Sequence, residues 1–169
     1  MKPLLRMTTV FLLLICAAVA QAQASLDLPP GYWEKVNSEK KAWIALNMGL
    51  APEEETRFWP LYAGYQKALE PLSRRLIEAL QTYARHYREQ SLTDDMAMKL
   101  MGELLAIEES EVQLRKTYAD RLSKVLPGRK AARYIQLESR IRTVIRFELA
   151  QVFPLAGDTP GEHAITPVK

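Results

Sequence analysis

The sequence predicts an all-α protein: an elongated antiparallel helical hairpin, a short N-terminal helix before it and a C-terminal helix packed along it, four helices in all. Three observations carry this. Among 169 residues there are only 7 Gly, and Leu, Ala, Glu and Arg outnumber Val, Ile and Thr, which favours helices over strands. Two long segments each carry an apolar stripe of helical period. Folded back on each other about residues 90–93, the two stripes meet apolar to apolar.

Ahead of the helical part, residues 1–24 read as a secretory signal. Lys2 and Arg6 form its charged start, and Val10 to Ala20 is an apolar run too short to span a membrane. Ala18, Ala20, Ala22 and Ala24 supply A-x-A sites, and cleavage is expected after Ala22 or Ala24. Two other readings stay open, an uncleaved anchor and a lipoprotein lipidated on Cys16. The latter requires a small residue where Ile15 stands. Loss of Lys2 and Arg6 from 23 basic side chains leaves 21 against 20 acidic ones, so the mature chain is nearly neutral at +1. That balance and export argue against nucleic acid as a ligand. Cys16 is the only cysteine, so the exported mature chain, suited to an oxidising compartment, has no disulfide framework.

Residues 25–31 (SLDLPPG) form an extended leader. A first helix is expected over Tyr32 to Met48, with Val36, Ala42, Trp43, Leu46 and Leu50 as core contacts and Gly49 as the left-handed cap. The second starts at Pro52, a proline that loses no hydrogen bond there, followed by Glu53, Glu54 and Glu55 where the helix dipole favours negative charge. Its stripe is Phe58, Tyr62, Tyr65, Leu69, Leu72, Leu76, Leu80, Tyr83 and Tyr87, and it passes Pro60 and Pro71 without a phase break. One kinked helix to about Glu89, roughly 55 Å long, follows from that continuity.

Thr93 caps a third helix from Asp94 to about Leu126, with the stripe Ala97, Leu100, Leu104, Ile107, Glu111, Leu114, Tyr118, Leu122 and Val125. Hairpin pairs have numbers summing to about 183, so Tyr65 meets Tyr118 and Leu69 meets Leu114; Leu72 against Glu111 is the misfit, with Arg75 as the expected partner of Glu111. Pro127 and Gly128 break the third helix. A fourth covers Arg129 to about Val152 and lies back along it, Leu114 by Ile141 and Ile107 by Glu148, with 25–153 forming one domain and 154–169 a disordered tail.

The fourth helix has an inner stripe (Tyr134, Ile135, Ile141, Ile145, Leu149, Val152) and a second apolar face, Leu137, Val144 and Phe147, among Arg133, Arg140 and Arg146. That second face is either a structural seam or a surface that binds other polypeptides, apolar at its centre and arginine at its rim. Met96, Met98 and Met101 cluster at the start of the third helix; Met98 and Met101 share a face, as flexible packing or as two thioethers for Cu(I). His86 is expected to face solvent, and His163 has no visible partner. No site with three metal ligands assembles, no cofactor is implied, and no G-x-S-x-G, Gly-rich phosphate loop or H-E-x-x-H occurs, so the expectation is a binding protein and not an enzyme.

The order of parts over roughly residues 40–150 resembles the Spy/CpxP family of periplasmic LTxxQ-motif proteins. Leu50-Ala51-Pro52-Glu53-Glu54 stands at the place of the first motif and Leu126-Pro127-Gly128-Arg129-Lys130 at that of the second, while Leu92-Thr93-Asp94-Asp95-Met96 keeps Leu and Thr at the hairpin tip. The resemblance implies a cradle-shaped antiparallel homodimer acting as an ATP-independent chaperone, or as a regulator that binds the sensor domain of an envelope-stress or metal-response system. Two histidines in the chain set it apart from the family's histidine-rich metal-responsive branch.

Overall fold

The computed structural model describes residues 32–157, with four α-helices and no strand among them. They are α1 (Tyr32–Met48), α2 (Pro52–Arg88), α3 (Asp94–Ser123) and α4 (Gly128–Val152). The expected signal, leader, His163 and most of the tail lie outside the described residues, as do the side chains of Val36, Glu148 and Val152.

Each boundary has a local cause. Gly49 adopts φ 57°, the left-handed conformation that releases the chain from α1. Glu54 Oε2 accepts the Ala51 N–H at 2.7 Å, which satisfies one orphan donor at the start of α2. Pro60 and Pro71 both sit inside continuous helix on its exposed side, where the carbonyls they leave unbonded open to water. The α2–α3 turn carries Gln90 at φ 51°, and Thr93 Oγ1 accepts the Met96 N–H at 3.3 Å to begin α3. Helix α3 stops three residues earlier than its apolar pattern suggests. Val125 and Leu126 turn back onto the Leu122 carbonyl, and the Pro127 carbonyl then accepts Lys130 and Ala131 to start α4.

Helices α2 and α3 pack antiparallel. Tyr65 meets Tyr118 edge to face with centroids 5.3 Å apart, and ten residues further along α2 the Arg75 guanidinium grips Glu103 at 2.8 and 3.0 Å. Helix α4 returns along α3, with Arg146 paired to Glu108 and Arg142 within 3.6 Å of Glu111. Two expectations fail here. Arg75 is engaged by Glu103, so Glu111 finds its partners on α4. Helix α1 buries Lys40, Ile44 and Met48, while Ala42 and Leu46 face outward and Leu46 is 77% exposed. Ile44 and Met48 continue the i, i+4 line of Lys40, so a lysine lies on the inner face.

The core is dense where four helices meet. Phe58, Tyr62, Tyr65, Tyr118, Leu122, Tyr134 and Leu137 form it with Ile44 and Met48, and Phe58 packs edge-on to Tyr134 at 5.2 Å. Toward the hairpin turn, α2 beyond Leu69 buries only Ala79. There Tyr83 stacks near Tyr87, packs against Phe153 and donates its hydroxyl to the Pro154 carbonyl at 2.9 Å. The first residue of the expected tail is thus tied to α2.

Candidate partner-binding surface

The six residues expected to form one face of α4 separate. Leu137 is 5% exposed and belongs to the core, because the inner arc of α4 is wide enough to touch α1 and α2 as well as α3. Arg133 donates to the Asn47 carbonyl at the C-terminal end of α1, where a cation offsets the helix dipole. Arg146 turns to α3. Val144 is half-buried, while Phe147, 62% exposed, and Arg140 face solvent, as does Arg133 beside its bond to α1. Phe147 is therefore an isolated aromatic on that face and not the centre of an apolar patch.

A longer apolar surface lies on α3. Met98, Met101, Leu105 and Val112 are 62%, 47%, 57% and 38% exposed. They recur at steps of 3, 4 and 7, which puts them on one face of the helix over about 21 Å. The inner stripe of α3 (Leu100, Leu104, Ile107, Leu114, Tyr118) occupies a different arc, so the outer four have no helix over them. Sequence reasoning met Met98 and Met101 as flexible packing near the hairpin tip or as two thioethers, and not as part of a longer stripe. The signal for the rest was present: removal of the inner stripe from α3 leaves a second apolar series at helical spacing, beginning at Met98.

Beside this stripe the α3–α4 seam is lined with charge. Arg146 pairs with Glu108 and reaches Glu111 at 3.5 Å; Arg142 approaches Glu111 at 3.6 Å. Arg115, one turn beyond Val112, is half-buried and forms no ion pair among the described residues. Its acidity is raised, its pKa falling below the ordinary arginine value, first by desolvation and then by the nearby Arg142 charge. Arg142 and Arg146 therefore share two carboxylates, with Arg115 beside them, at the end of an exposed apolar stripe.

A second polar group is structural. Lys40 Nζ lies 2.8 Å from Glu138 Oε2 and donates to Gln66 Oε1 at 2.9 Å. Gln66 and Tyr134 donate to Glu138 Oε1 at 3.0 and 2.9 Å, so one buried carboxylate ties α1, α2 and α4 together. Burial, then the Glu138 charge, pushes the Tyr134 phenol well up, so it stays protonated as the donor. The neighbouring Tyr62 hydroxyl is buried without a hydrogen-bond partner.

Among the described residues no three His, Cys, Asp or Glu side chains are placed to hold a metal ion, and no helix is long and apolar enough to cross a membrane. His86 is partly buried and its Nδ1 lies 2.8 Å from Ser91 Oγ. Comparison with protein-family models, with curated proteins and with solved structures returned no match.

Proposed function

We propose that this chain is an exported, periplasmic protein that binds other polypeptides, in the manner of the ATP-independent chaperones it resembles. The observation that supports the reading is the uncovered apolar stripe Met98, Met101, Leu105 and Val112 beside an arginine-lined seam. Apolar area with arginine at its edge is the composition that protein-binding patches favour. The isolated Phe147 on α4 stands as a second, lesser candidate contact. A homodimer, as the resemblance implies, belongs to the same proposal.

Protection of several unrelated unfolding proteins from aggregation is the test. The doubly substituted Leu105→Ser, Val112→Ser chain should lose most of that protection while keeping its helical circular dichroism. Undiminished protection would sink the assignment to α3, and then Phe147→Ser decides whether α4 carries it. Mass spectrometry of the native protein should find an N-terminus at Gln23 or Ser25; an intact Met1 would overturn export.

A further inference from the structure

Counted outward from Leu105, the exposed face of α3 has the same spacing in both directions. Asp94, Met98 and Met101 lie before it and Glu109, Val112 and Lys116 after it, at steps of 4, 3, 4, 4, 3 and 4, and all seven are exposed. Opposite members have numbers that sum to 210: Asp94 with Lys116, Met98 with Val112, Met101 with Glu109, and Leu105 with itself. Asp95 and Arg115 sharpen the charge contrast between the two ends. Gly102, one turn before Leu105, is exposed as well, and a Cβ there would meet nothing within 4 Å. Glycine inside a helix weakens it. Gly64 has a reason within the chain, the Tyr118 hydroxyl 3.0 Å from where its Cβ would lie, and Gly102 has none.

We propose that the stripe is closed by the same stripe of a second copy, laid antiparallel, and that unfolded polypeptide competes with this copy for it. The inference rests on the polypeptide-binding reading and adds a self-capped state to it. A parallel pair stacks Asp94 on Asp94 and Lys116 on Lys116, whereas the antiparallel pair sets acid level with base at both ends by symmetry. Leu105 meets Leu105 on the twofold axis, and Met98 meets Val112 on either side. Met101 against Glu109 is the unlike pair. Gly102 stands on the same side of the stripe as Glu109, and like sides meet in an antiparallel pair. The missing side chain of Gly102 lets the two backbones approach and opens a way for the Glu109 carboxylate to water, while the Glu109 methylenes cover Met101. Sliding the pair by seven residues in either direction sets Glu109 against Asp94 or against Glu108, so the register is singled out by charge. One face of one helix over about 33 Å makes less contact than a permanent dimer has. The closed state therefore opens on dilution, and a polypeptide that covers the same apolar residues draws the equilibrium toward the open chain.

The experiment uses the full mature chain and two charge variants, one with Asp94→Lys and Asp95→Lys, the other with Arg115→Glu and Lys116→Glu, each checked for helix by circular dichroism. Sedimentation over a concentration series should find the native chain passing from monomer to dimer. Each variant alone should dimerise about tenfold more weakly, because its two ends then carry like charge, and an equimolar mixture of the two should restore the dimer. Leu105→Cys, in a mature chain with no cysteine of its own, should cross-link under a mild oxidant, since the two sulfurs meet at the axis, and Gln113→Cys should not. Each charge variant should also protect unfolding proteins from aggregation at lower concentration than the native chain, its stripe being open. A native chain that stays monomeric throughout overturns the proposal, and so does a mixture of variants that pairs no better than either alone. Cross-linking through position 113 as readily as through 105 overturns the register. Unchanged protection in variants that no longer dimerise overturns the competition. Absence of protection from native chain and variants alike overturns the polypeptide-binding reading, while sedimentation and cross-linking still decide the seam.

Discussion

At the residue scale the most consequential side chain is Glu138. It is almost fully buried and its two oxygens are engaged by Lys40, Gln66 and Tyr134. Replacement of a buried pair by apolar residues is often tolerated, whereas removal of one partner leaves an uncompensated charge. Lys40→Met should therefore cost about 3–5 kcal/mol in urea denaturation. Adding Glu138→Gln to Lys40→Met should recover part of the loss, because no charge is then stranded; a double variant no better than the single would refute the argument. Glu54 offers a pH test. Hydrogen bonds from Lys130 and then from the Ala51 N–H hold its carboxyl below the ordinary value of 4.5. Its contribution is therefore complete above that value and is lost as pH falls through the lower, folded-state value. Glu54→Gln should lower stability at neutral pH and flatten the acid limb of the stability curve. An acid limb as steep as that of the unsubstituted chain would mean that another carboxylate dominates it.

At the element scale, α3 presents two apolar series with opposite consequences. Ile107 and Leu122 lie in the core, and truncation of either to alanine should cost about 2–5 kcal/mol, measured by the same denaturation. Leu105→Ser, on the exposed arc two residues from Ile107, should change stability by no more than about 0.5 kcal/mol. That contrast keeps loss of binding separable from loss of fold. The inner series was legible in the sequence because it matches α2 residue by residue, and Tyr65 does meet Tyr118. The outer series was legible only as the remainder left when the inner stripe is removed, because an exposed apolar residue has no partner in the chain to betray it. Helix α1 was misread for a related reason. Its buried line includes Lys40, and a pattern that looks for apolar residues passes over a lysine whose charge is matched by Glu138, almost a hundred residues away. Leu137 was misplaced because α4 touches three helices, so its inner arc exceeds one stripe. Gly64 carries another long-range constraint. A Cβ there would lie 3.0 Å from the Tyr118 hydroxyl oxygen, so Gly64→Ala should not give the roughly 1 kcal/mol that alanine gains over glycine in a helix.

At the scale of the whole molecule, stability should be uneven along the hairpin. The end formed by the first half of α2, the second half of α3, α1 and the first half of α4 contains Phe58, Tyr62, Tyr65, Tyr118, Leu122, Tyr134 and Leu137, together with the Lys40–Glu138 pair. The other end has Ala79 as the one buried residue of α2 beyond Leu69, and none is buried in α3 before Ile107. Its fastenings are the partly exposed Arg75–Glu103 pair and the contacts of Tyr83 with Phe153 and Pro154. Local opening free energy follows buried apolar contact, so amides of residues 72–88 and 94–104 should exchange with solvent well before those of 56–69 and 114–122. Hydrogen exchange read by mass spectrometry resolves these segments. Met98, Met101 and Leu105 all lie on the thin end or at its margin, so the surface proposed to receive a partner sits on the part of the fold that adjusts at least cost. A bound unfolded polypeptide should then slow exchange most in 94–104 and least in 114–122. Uniform protection along both helices of the free protein would show that the sparse end is held as firmly as the dense one, and would remove this physical reason for a partner to prefer it.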